Sequence, residues 1–296
     1  MSSLQNVKGG AAKLNTGYYI PLFGLGTYEL TGNEVKSSVD IALKCGYRLF
    51  DTAKYYKNEP ELGAALEELL PKHGLTRADV FITTKFHMDP DDPAGGARKL
   101  VLESLKQLRV SYIDMVLIHY PKAIKCEEKD PKNKEHRKLT YVELEKLKAE
   151  GKIRSVGVSN YEISHIEEIK SFSKMVPCAN QLELHPHLTR EELRQYCKKE
   201  GIFLQAFSSL ARCEPALIQE PVLSTLAKKH NVSVVIILLS WAMSQGVGVI
   251  PKSSIAKELT ENFEATKLVL KEEDVESVRK LNRNKNYIDC AGWRVL

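Results

Sequence analysis

Short apolar runs alternate with longer amphipathic runs along this chain. The apolar runs are rich in β-branched residues and predict eight strands, at residues 22–26, 47–51, 80–85, 115–119, 155–159, 179–183, 202–207 and 248–251. The runs between them repeat apolar residues at helical spacing and predict helices at residues 34–45, 59–73, 95–108, 140–151, 164–171, 190–200, 221–230 and 274–281. Several of the strands lack polar alternation, which is typical of a parallel sheet covered on both faces.

The regular alternation of strands and helices decides between fold classes. Eight strand–helix units without a break in composition predict one α/β domain over residues 1–296, a closed (β/α)8 barrel. An open doubly wound sheet is the alternative. Gly46 and Gly151 stand where helix C-caps are expected, and Thr189 stands where it would cap a helix that begins at Arg190.

Composition and charge exclude several classes of protein. Apolar residues make up 43% of the chain and charged residues 27%, which excludes a disordered or low-complexity protein. The net charge is +5, and the densest basic stretch, residues 122–138, is interleaved with acidic residues, so it predicts a solvated loop and no nucleic-acid site. The apolar stretch 232–243 is shorter than the ~20 residues of a membrane span and predicts a buried helix.

Cysteine usage and the N-terminal residues bear on location. The six cysteines include no C-x-x-C pair, and their scatter is typical of a protein from a reducing compartment. Residues 1–12 lack the apolar core of a secretory signal. We therefore expect a cytoplasmic monomer with no nucleic-acid partner, no membrane partner and no obligate protein partner.

A glycine pair near the first strand raises the question of a dinucleotide fingerprint. Gly24 and Gly26 match its first two glycines, but the position of the third is Glu29. The pair therefore predicts a tight turn and not a Rossmann motif.

Ionisable side chains end three successive predicted strands. They are Asp51, Lys85 and His119, and the carboxyl ends of barrel strands meet at the rim where active sites lie. Asp51 would pair with Lys85 and keep it charged, and the ammonium would lower the pKa of a nearby phenol, making it a usable general acid. Tyr55 and Tyr56 both follow Asp51 in one loop, and spacing does not choose between them. With His119 orienting a carbonyl oxygen, this set suits carbonyl protonation while another agent delivers hydride.

These residues lie in seven short motifs that together resemble the aldo-keto reductase family over nearly the whole chain. The motifs are GLGTY at 24–28, DTAKYYKNE at 51–59, ITTK at 82–85, IHYP at 118–121, VGVSN at 156–160, NQ at 180–181 and IPKS at 250–253. The resemblance implies a single (β/α)8 TIM barrel with an N-terminal β-hairpin and a short C-terminal tail, which reduces aldehydes and ketones with NADPH and no metal. It also implies that Tyr56 is the proton donor, Lys85 and Asp51 its pKa-lowering pair, and His119 the orienting group.

The resemblance also implies a set of cofactor contacts. Ser159, Asn160 and Gln181 would hold the nicotinamide carboxamide, because their side chains supply the donors and acceptor that an amide needs. Phe207 stands where the family usually has a tyrosine ring against the nicotinamide. The remaining contacts would be Thr27, Asp51, Ser208 and Leu210, with Lys252 and Ser253 at the 2′-phosphate and Glu261 and Asn262 at the adenine.

Two positions depart from the family pattern. Glu258 replaces an arginine that usually pairs with the 2′-phosphate, and a carboxylate there is repulsive unless Lys257 takes over. NADPH therefore remains the expected cofactor, with NADH possible. Ser209 replaces a common proline, which alters the loop without removing chemistry.

The family's substrate pocket maps to a mostly aromatic set of positions. They are Tyr28, Tyr55, His87, His119 and Tyr120, and several are smaller or more polar than the tryptophans common in the family. Trp293 is expected near the pocket mouth, and the C-terminal loop looks short. Together these features predict an open pocket for a small-molecule aldehyde, ketone or α-dicarbonyl. The polar segment 121–139 is expected to be a lid or a surface loop.

Other interpretations carry less support. A cofactor-binding regulatory or structural subunit is the main alternative, but such a protein need not keep a proton donor. A Schiff-base aldolase would need a neutral Lys85, which a paired Asp51 opposes. Glu183, His185 and His187 lack the spacing of a zinc-protease site, so no metal is expected. Cys213 is expected to have a packing or surface role and not to act as a redox thiol.

Overall fold

The computed structural model of the protein describes residues 3–288. Within this part the strands are β1 Ala11–Lys13, β2 Tyr19–Pro21, β3 Leu25–Gly26, β4 Leu49–Asp51, β5 Phe81–Phe86, β6 Ile113–Ile118, β7 Ile153–Ser159, β8 Ala179–Glu183, β9 Phe203–Phe207 and β10 Gly248–Val249. The α-helices are α1 Asn33–Cys45, α2 Glu59–Lys72, α3 Pro93–Gln107, α4 Lys132–Ala149, α5 Ile163–Phe172, α6 Glu191–Lys199, α7 Pro215–Ile218, α8 Pro221–His230, α9 Val234–Met243, α10 Ala256–Glu264 and α11 Glu272–Arg279. Trp293 lies outside the described residues.

The strands β3 to β10 form one parallel sheet in which each strand pairs with its neighbours in chain order. The two ends of the sheet also meet. The amide of Gly24 donates to the carbonyl of Val249 at 2.9 Å, and the amide of Val249 donates to the carbonyl of Leu22 at 2.8 Å. The predicted (β/α)8 barrel is therefore confirmed, and the open-sheet alternative is wrong.

The N-terminal β-hairpin is also confirmed. Strands β1 and β2 pair antiparallel, and Ile20 packs in one apolar cluster with Leu49, Phe81 and Met115 from the barrel interior. Since Leu49 and Phe81 begin their strands, the hairpin covers the amino ends of the strands. The carboxyl ends stay open for a site.

The predicted polar loop over residues 121–139, which contains the basic stretch 122–138, is wrong from Lys132 onward. Helix α4 begins there. The first turns of α4 bury polar side chains, namely Asn133, His136 and Arg137. The apolar spacing from residue 140 onward predicted the second half of this helix, but it could not reveal the first turns, because their buried face is polar.

Smaller differences concern helix ends. Helix α6 begins at Glu191, because Arg190 adopts a left-handed conformation with φ 51° and Thr189 provides no cap. Helix α10 was not predicted from the sequence. The stretch 232–243 contains the buried helix α9, as predicted. Within residues 3–288, no single helix is long and apolar enough to cross a membrane; only α8 and α9 together reach that composition, as a pair bent by 91°.

Candidate active site

A cavity of about 560 Å³ opens at the carboxyl ends of the barrel strands. All of the catalytic and substrate-pocket residues predicted by position line it, together with part of the predicted cofactor set. These lining residues are Asp51, Tyr56, Lys85, His119, Tyr28, Tyr55, His87, Tyr120, Gln181, Phe207, Ser208, Leu210 and Lys252.

A buried ion pair lies at the base of this cavity. Lys85 is 1% exposed, and its Nζ donates to Asp51 Oδ1 at 2.5 Å and to the carbonyl of Thr52 at 3.0 Å. Asp51 Oδ2 accepts a further hydrogen bond from Gln181 Nε2 at 2.7 Å. Burial lowers the pKa of Lys85, and Asp51 opposes that shift. The pairing also argues against a Schiff-base role, which needs an uncompensated neutral amine.

The structure separates the two neighbouring tyrosines. The Lys85 Nζ lies 5.0 Å from the centroid of the Tyr56 ring. Tyr55 is 60% exposed, and its ring meets His87 edge-on with centroids 5.7 Å apart. Tyr56 is therefore the phenol beside the buried ammonium, and Tyr55 lies at the cavity wall.

The predicted lowering of the Tyr56 pKa is wrong in this structure. Burial raises the pKa of this phenol well above its ordinary value, and the charge of Asp51 and the neighbouring phenols Tyr120 and Tyr28 add to the increase. Lys85 does not reverse the shift because its charge is already balanced by Asp51 at hydrogen-bond distance. The Tyr56 hydroxyl is consequently protonated at neutral pH.

His119 belongs to a stack of three rings on one side of the cavity. Its ring lies parallel to those of His87 and Tyr120, with centroids 4.7 and 4.9 Å away, and 6.3 Å from that of Tyr56. Burial lowers the pKa of His119 well below its ordinary value, and Lys85 and His87 lower it further. Burial also lowers the pKa of His87, to about 4. Both imidazoles are therefore neutral near pH 7.

The loop that carries Tyr56 is held by residues to which the sequence analysis gave no role. Asn58 is buried, and its Nδ2 donates to the carbonyls of Thr27 and Leu30 at 2.8 and 3.0 Å. Its Oδ1 accepts from the Thr52 hydroxyl at 2.7 Å. Asn58 thus joins the loop after β4 to the loop after β3. Asn58 lies within the 51–59 motif, but a supporting role cannot be read from the motif.

The next residue, Glu59, supports the strand that carries Lys85. Its Oε1 accepts from the Thr84 hydroxyl at 2.7 Å, and its Oε2 pairs with Lys54 at 3.2 Å. The base of the site is therefore fixed by buried polar contacts on both sides of Tyr56.

The predicted nicotinamide contacts form one hydrogen-bonded group. The Ser159 hydroxyl donates to the carbonyl of Gln181 at 2.8 Å, and Asn160 Nδ2 donates to Ser159 Oγ at 3.1 Å and to the carbonyl of His119 at 3.0 Å. Of these three amide and hydroxyl side chains, Gln181 lines the cavity. Phe207, at the end of the adjacent strand β9, adds an aromatic wall.

The predicted contacts for the rest of the cofactor are more dispersed. Lys252 lines the cavity, whereas Thr27, Ser253, Glu261 and Asn262 are not among its lining residues. Thr27 is buried, and its hydroxyl donates to the carbonyl of Asp51 at 2.9 Å.

Ser253 is already engaged by the residue that departs from the family pattern. Its hydroxyl donates to Glu258 Oε2 at 2.7 Å and accepts from the amide of Ile255 at 2.9 Å. The Phe207 ring, the Gln181 carboxamide and the Lys252 ammonium all line the cavity. They fit the ring, the amide and the phosphates of a nicotinamide nucleotide. The Glu258 carboxylate is the one element of this set that opposes an added phosphate.

The cavity also has lining residues that the sequence analysis did not assign to it. They are Glu29, Ser209, Arg212, Cys213 and Ile288, with Gly26, Ile250 and Pro251. Arg212 and Cys213 lie in the loop after β9, both with positive φ. Because this loop follows a barrel strand at the rim, its position could have indicated from the sequence that these residues line the cavity. Ile288 lies in the C-terminal segment, and no local pattern marks it.

The side chains considered for a metal site have other partners. Glu183 and His185 are hydrogen-bonded at 3.0 Å, and His187 bonds to Glu220 at 2.8 Å. Among residues 3–288, no group of three or more His, Cys, Asp or Glu side chains is arranged to hold a metal ion.

Comparisons with known proteins give one consistent result. The model of the Aldo/keto reductase family matches residues 22–283. Glyoxal reductase of Bacillus subtilis is 38% identical over 274 residues, which cover 92% of this chain and 93% of that protein. Aldo-keto reductase family 1 member A1 of Homo sapiens is 34% identical over 298 residues, which cover 93% of this chain and 90% of that protein.

Solved structures agree with the sequence relatives. An aldo-keto reductase of Bombyx mori in complex with NADP superposes with a TM-score of 0.88 at 31% identity, covering 97% of each chain. An aldo-keto reductase from a Medee basin deep-sea metagenome library gives a TM-score of 0.84 at 33% identity, covering 93% of this chain and 96% of that chain.

Proposed function

Because this chain belongs to the aldo/keto reductase family, whose members are oxidoreductases that use a nicotinamide cofactor, we propose that it reduces aldehydes and ketones to alcohols with NADPH and with Tyr56 as proton donor. The observation that carries the proposal is that one cavity holds both the Tyr56 ring, 5.0 Å from the Lys85 ammonium, and His119 beside it. The cofactor-binding subunit without turnover is not favoured, because the complete acid–base set lines that cavity.

Tyr56 acts as the general acid in this proposal. Burial keeps its hydroxyl protonated at neutral pH, so a proton is available for the carbonyl oxygen. Once the proton has moved, the phenolate lies beside the Lys85 ammonium, whose attraction offsets only part of the cost that burial and the Asp51 charge impose on the developing negative charge. Asp51 holds Lys85 in place.

His119 orients the substrate. As a neutral imidazole it carries one ring N–H, which donates to a carbonyl oxygen and directs it towards the Tyr56 hydroxyl. Its Nδ1 is buried without a hydrogen-bond partner among residues 3–288. The rings of His87 and Tyr120 fix the tilt of the imidazole by stacking.

The cofactor contacts follow the same logic. When bound, the reduced nicotinamide supplies hydride to the carbonyl carbon. Gln181, with Ser159 and Asn160 behind it, would hold the carboxamide, Phe207 would cover the ring face, and Lys252 would meet the phosphate end. The Glu258 carboxylate beside Ser253 weakens the preference for the 2′-phosphate, so we expect NADH to be accepted as well.

The substrate is expected to be a small carbonyl compound. Tyr28, Tyr55 and Tyr120 line the cavity and offer aromatic contact to a substrate. A relative of this chain is named glyoxal reductase, and we propose that α-dicarbonyls and simple aldehydes are substrates here. The predicted cytoplasmic location, the monomeric state and the predicted lack of nucleic-acid, membrane and obligate protein partners stay predictions.

Replacing the proton donor tests the proposal. In Tyr56→Phe we expect kcat for aldehyde reduction to fall about 10²- to 10⁴-fold, the range of a lost general acid, with the Kd for NADPH unchanged. The loss of NADPH absorbance measures kcat, and calorimetry measures the Kd. Tyr18→Phe is the matched control, because Tyr18 lies at the hairpin that covers the other end of the barrel. Full turnover in Tyr56→Phe would contradict the role assigned to Tyr56.

A further inference from the structure

The described chain ends in a segment, residues 282–288, that we call the strap. The strap is bonded to the loop after strand β8. The amides of Arg283 and Lys285 donate to the carbonyl of His187 at 3.1 and 3.0 Å, and the amide of Thr189 donates to Asn282 Oδ1 at 3.2 Å. These contacts bring the strap to the rim where the active-site cavity opens.

One buried carboxylate accepts several hydrogen bonds from the end of the strap. Glu183, the last residue of β8, is 2% exposed. Its Oε1 accepts from the amides of Tyr287 and Ile288 at 2.6 and 3.2 Å, and its Oε2 accepts from Asn286 Nδ2 at 2.9 Å. His185 Nε2 bonds to the same Oε1 at 3.0 Å.

The Glu183 carboxylate is ionised, which matches the hydrogen-bond donors around it. Burial by itself raises the pKa of Glu183, but the hydrogen bonds from His185, the Tyr287 amide and Asn286 outweigh burial and lower the pKa below its ordinary value. An ionised carboxylate accepts hydrogen bonds and donates none. Glu183 therefore matches a segment that presents only donors to it.

A second buried contact holds the same residue of the strap. His187 Nδ1 bonds to the Tyr287 hydroxyl at 2.8 Å, while its Nε2 bonds to Glu220 Oε1 at 2.8 Å. Arg283 also pairs with Glu220. Tyr287 is thus held by its amide on Glu183 and by its hydroxyl on His187, which fixes the position of its neighbour Ile288.

Ile288 lines the active-site cavity, whereas Glu183 does not. We propose that Glu183 is a positioning residue that sets substrate preference, because it fixes the strap so that the Ile288 side chain contacts an apolar substituent of the carbonyl substrate. The proposal rests on the reductase function proposed above for its substrate, but the geometry of the strap stands apart from catalysis. A carbonyl with a large apolar substituent gains from this contact, and a small dicarbonyl does not.

Hydrogen exchange tests the geometry without using activity. In Glu183→Gln the charge is lost and an NH₂ donor faces the amides of the strap, so exchange at the amides of Tyr287 and Ile288 should accelerate by about tenfold or more. Mass spectrometry of a peptide that covers residues 282–288 measures the rate. Glu264→Gln is the matched control, because Glu264 pairs with Lys267 on the surface of α10. Equal exchange rates in wild type and Glu183→Gln would overturn the proposal.

Kinetics test the specificity. The kcat/KM for benzaldehyde relative to glyoxal should fall about fivefold in Glu183→Gln through a higher KM for benzaldehyde, since apolar contact area is lost. Ile288→Ala should lower the same ratio, and the double variant should lower it no further, because both changes remove one contact. Additive effects would overturn the proposal.

Two further results separate a folding defect of Glu183→Gln, and a failure of the proposed function, from a failure of this proposal. If Glu183→Gln does not fold, Asn286→Ala removes only the bond to Oε2 and should shift exchange and the benzaldehyde-to-glyoxal ratio in the same direction. If it shifts neither, the proposal is wrong. If the wild-type protein reduces no carbonyl compound, the proposed function fails, while the exchange experiment still decides whether Glu183 fixes the strap.

Discussion

At the residue scale, the site depends on the Lys85 ammonium, whose charge is balanced by Asp51 within the protein itself. Lys85 is buried, and its ammonium donates to Asp51 at 2.5 Å. Removing one partner of such a pair commonly costs about 3–5 kcal/mol, because the other charge is left buried and uncompensated. The pair therefore fixes the geometry around Tyr56 as well as supplying a charge. The same balance explains why Lys85 does not make the Tyr56 phenol acidic in this structure.

The pKa directions of Tyr56 and His119 predict a flat pH profile. The phenol must be protonated to act as an acid, and its pKa is raised, so it stays protonated until above the ordinary tyrosine range near pH ~10. The imidazole must be neutral, and its pKa is lowered, so it stays neutral below its ordinary range. We therefore expect kcat/KM for aldehyde reduction to be constant from about pH 6 to about pH 9.

The profile is measured with saturating NADPH at constant ionic strength. A loss of activity centred near pH 7 would contradict the two pKa directions. A fall in kcat/KM in that range would mean that the pKa of Tyr56 is lowered or that His119 becomes charged in the functional enzyme.

At the element scale, the barrel depends on close approach between neighbouring helices. Gly63 in α2 lies against the end of α3. A Cβ at this position would be 2.4 Å from the carbonyl oxygen of Gln107 and 2.6 Å from the carbonyl carbon of Leu108. Since both are backbone atoms, they cannot rotate away. Helix α2 also begins at Glu59, so its position is linked to the loop that carries Tyr56.

Gly63→Ala is expected to destabilise the protein through this contact. The added methyl group must push α2 away from α3, and overpacking of this kind costs about 1–3 kcal/mol. Urea unfolding measures the free energy of unfolding. In the same helix, Glu67→Ala removes a side chain that is 61% exposed and should cost less than about 1 kcal/mol. Equal effects of the two substitutions would contradict the packing argument.

At the scale of the whole molecule, the apolar clusters that stabilise the barrel and the polar residues of the site lie in different parts of the fold. One apolar cluster lies between the sheet and the helices, and a second fills the barrel interior beneath the site. The hairpin of β1 and β2 covers the interior cluster at one end, while the polar residues gather at the other. Substitutions in the hairpin and in the interior cluster are therefore expected to change stability more than activity.

Ile20→Ala tests the role of the hairpin as a cover. Ile20 is 0% exposed, and the loss of a buried isoleucine side chain typically costs about 2–5 kcal/mol. Thermal unfolding should show a lower Tm, while kcat for aldehyde reduction at a temperature where the variant is folded should be retained. Val269→Ala is the control, since Val269 is 79% exposed and should leave Tm nearly unchanged. An unchanged Tm in Ile20→Ala would contradict the prediction.

Local sequence was sufficient to predict the eight barrel strands and the polar residues near their carboxyl ends, whereas the hairpin of β1 and β2 was expected only from the family resemblance. A strand covered on both faces must be a nearly continuous apolar run, so β5 and β6 are visible from residue types alone. Barrel topology then brings the ends of such strands to one rim. For this reason Asp51, Lys85 and His119 could be grouped from the sequence alone. The start of helix α4 could not be placed correctly, because its first turns bury polar side chains that are paired elsewhere in the fold.

The tertiary structure alone decided the properties that depend on distant partners. The pairing of Asp51 with Lys85 was predicted, but the pKa of Tyr56 follows from how deeply the phenol is buried and from its distances to Asp51, Tyr120 and Tyr28, which no local pattern states. The bond between Glu183 and the amide of Tyr287 joins residues 104 positions apart. Electrostatic shifts and long-range hydrogen bonds depend on distances between residues, and the chain sets those distances only when it folds.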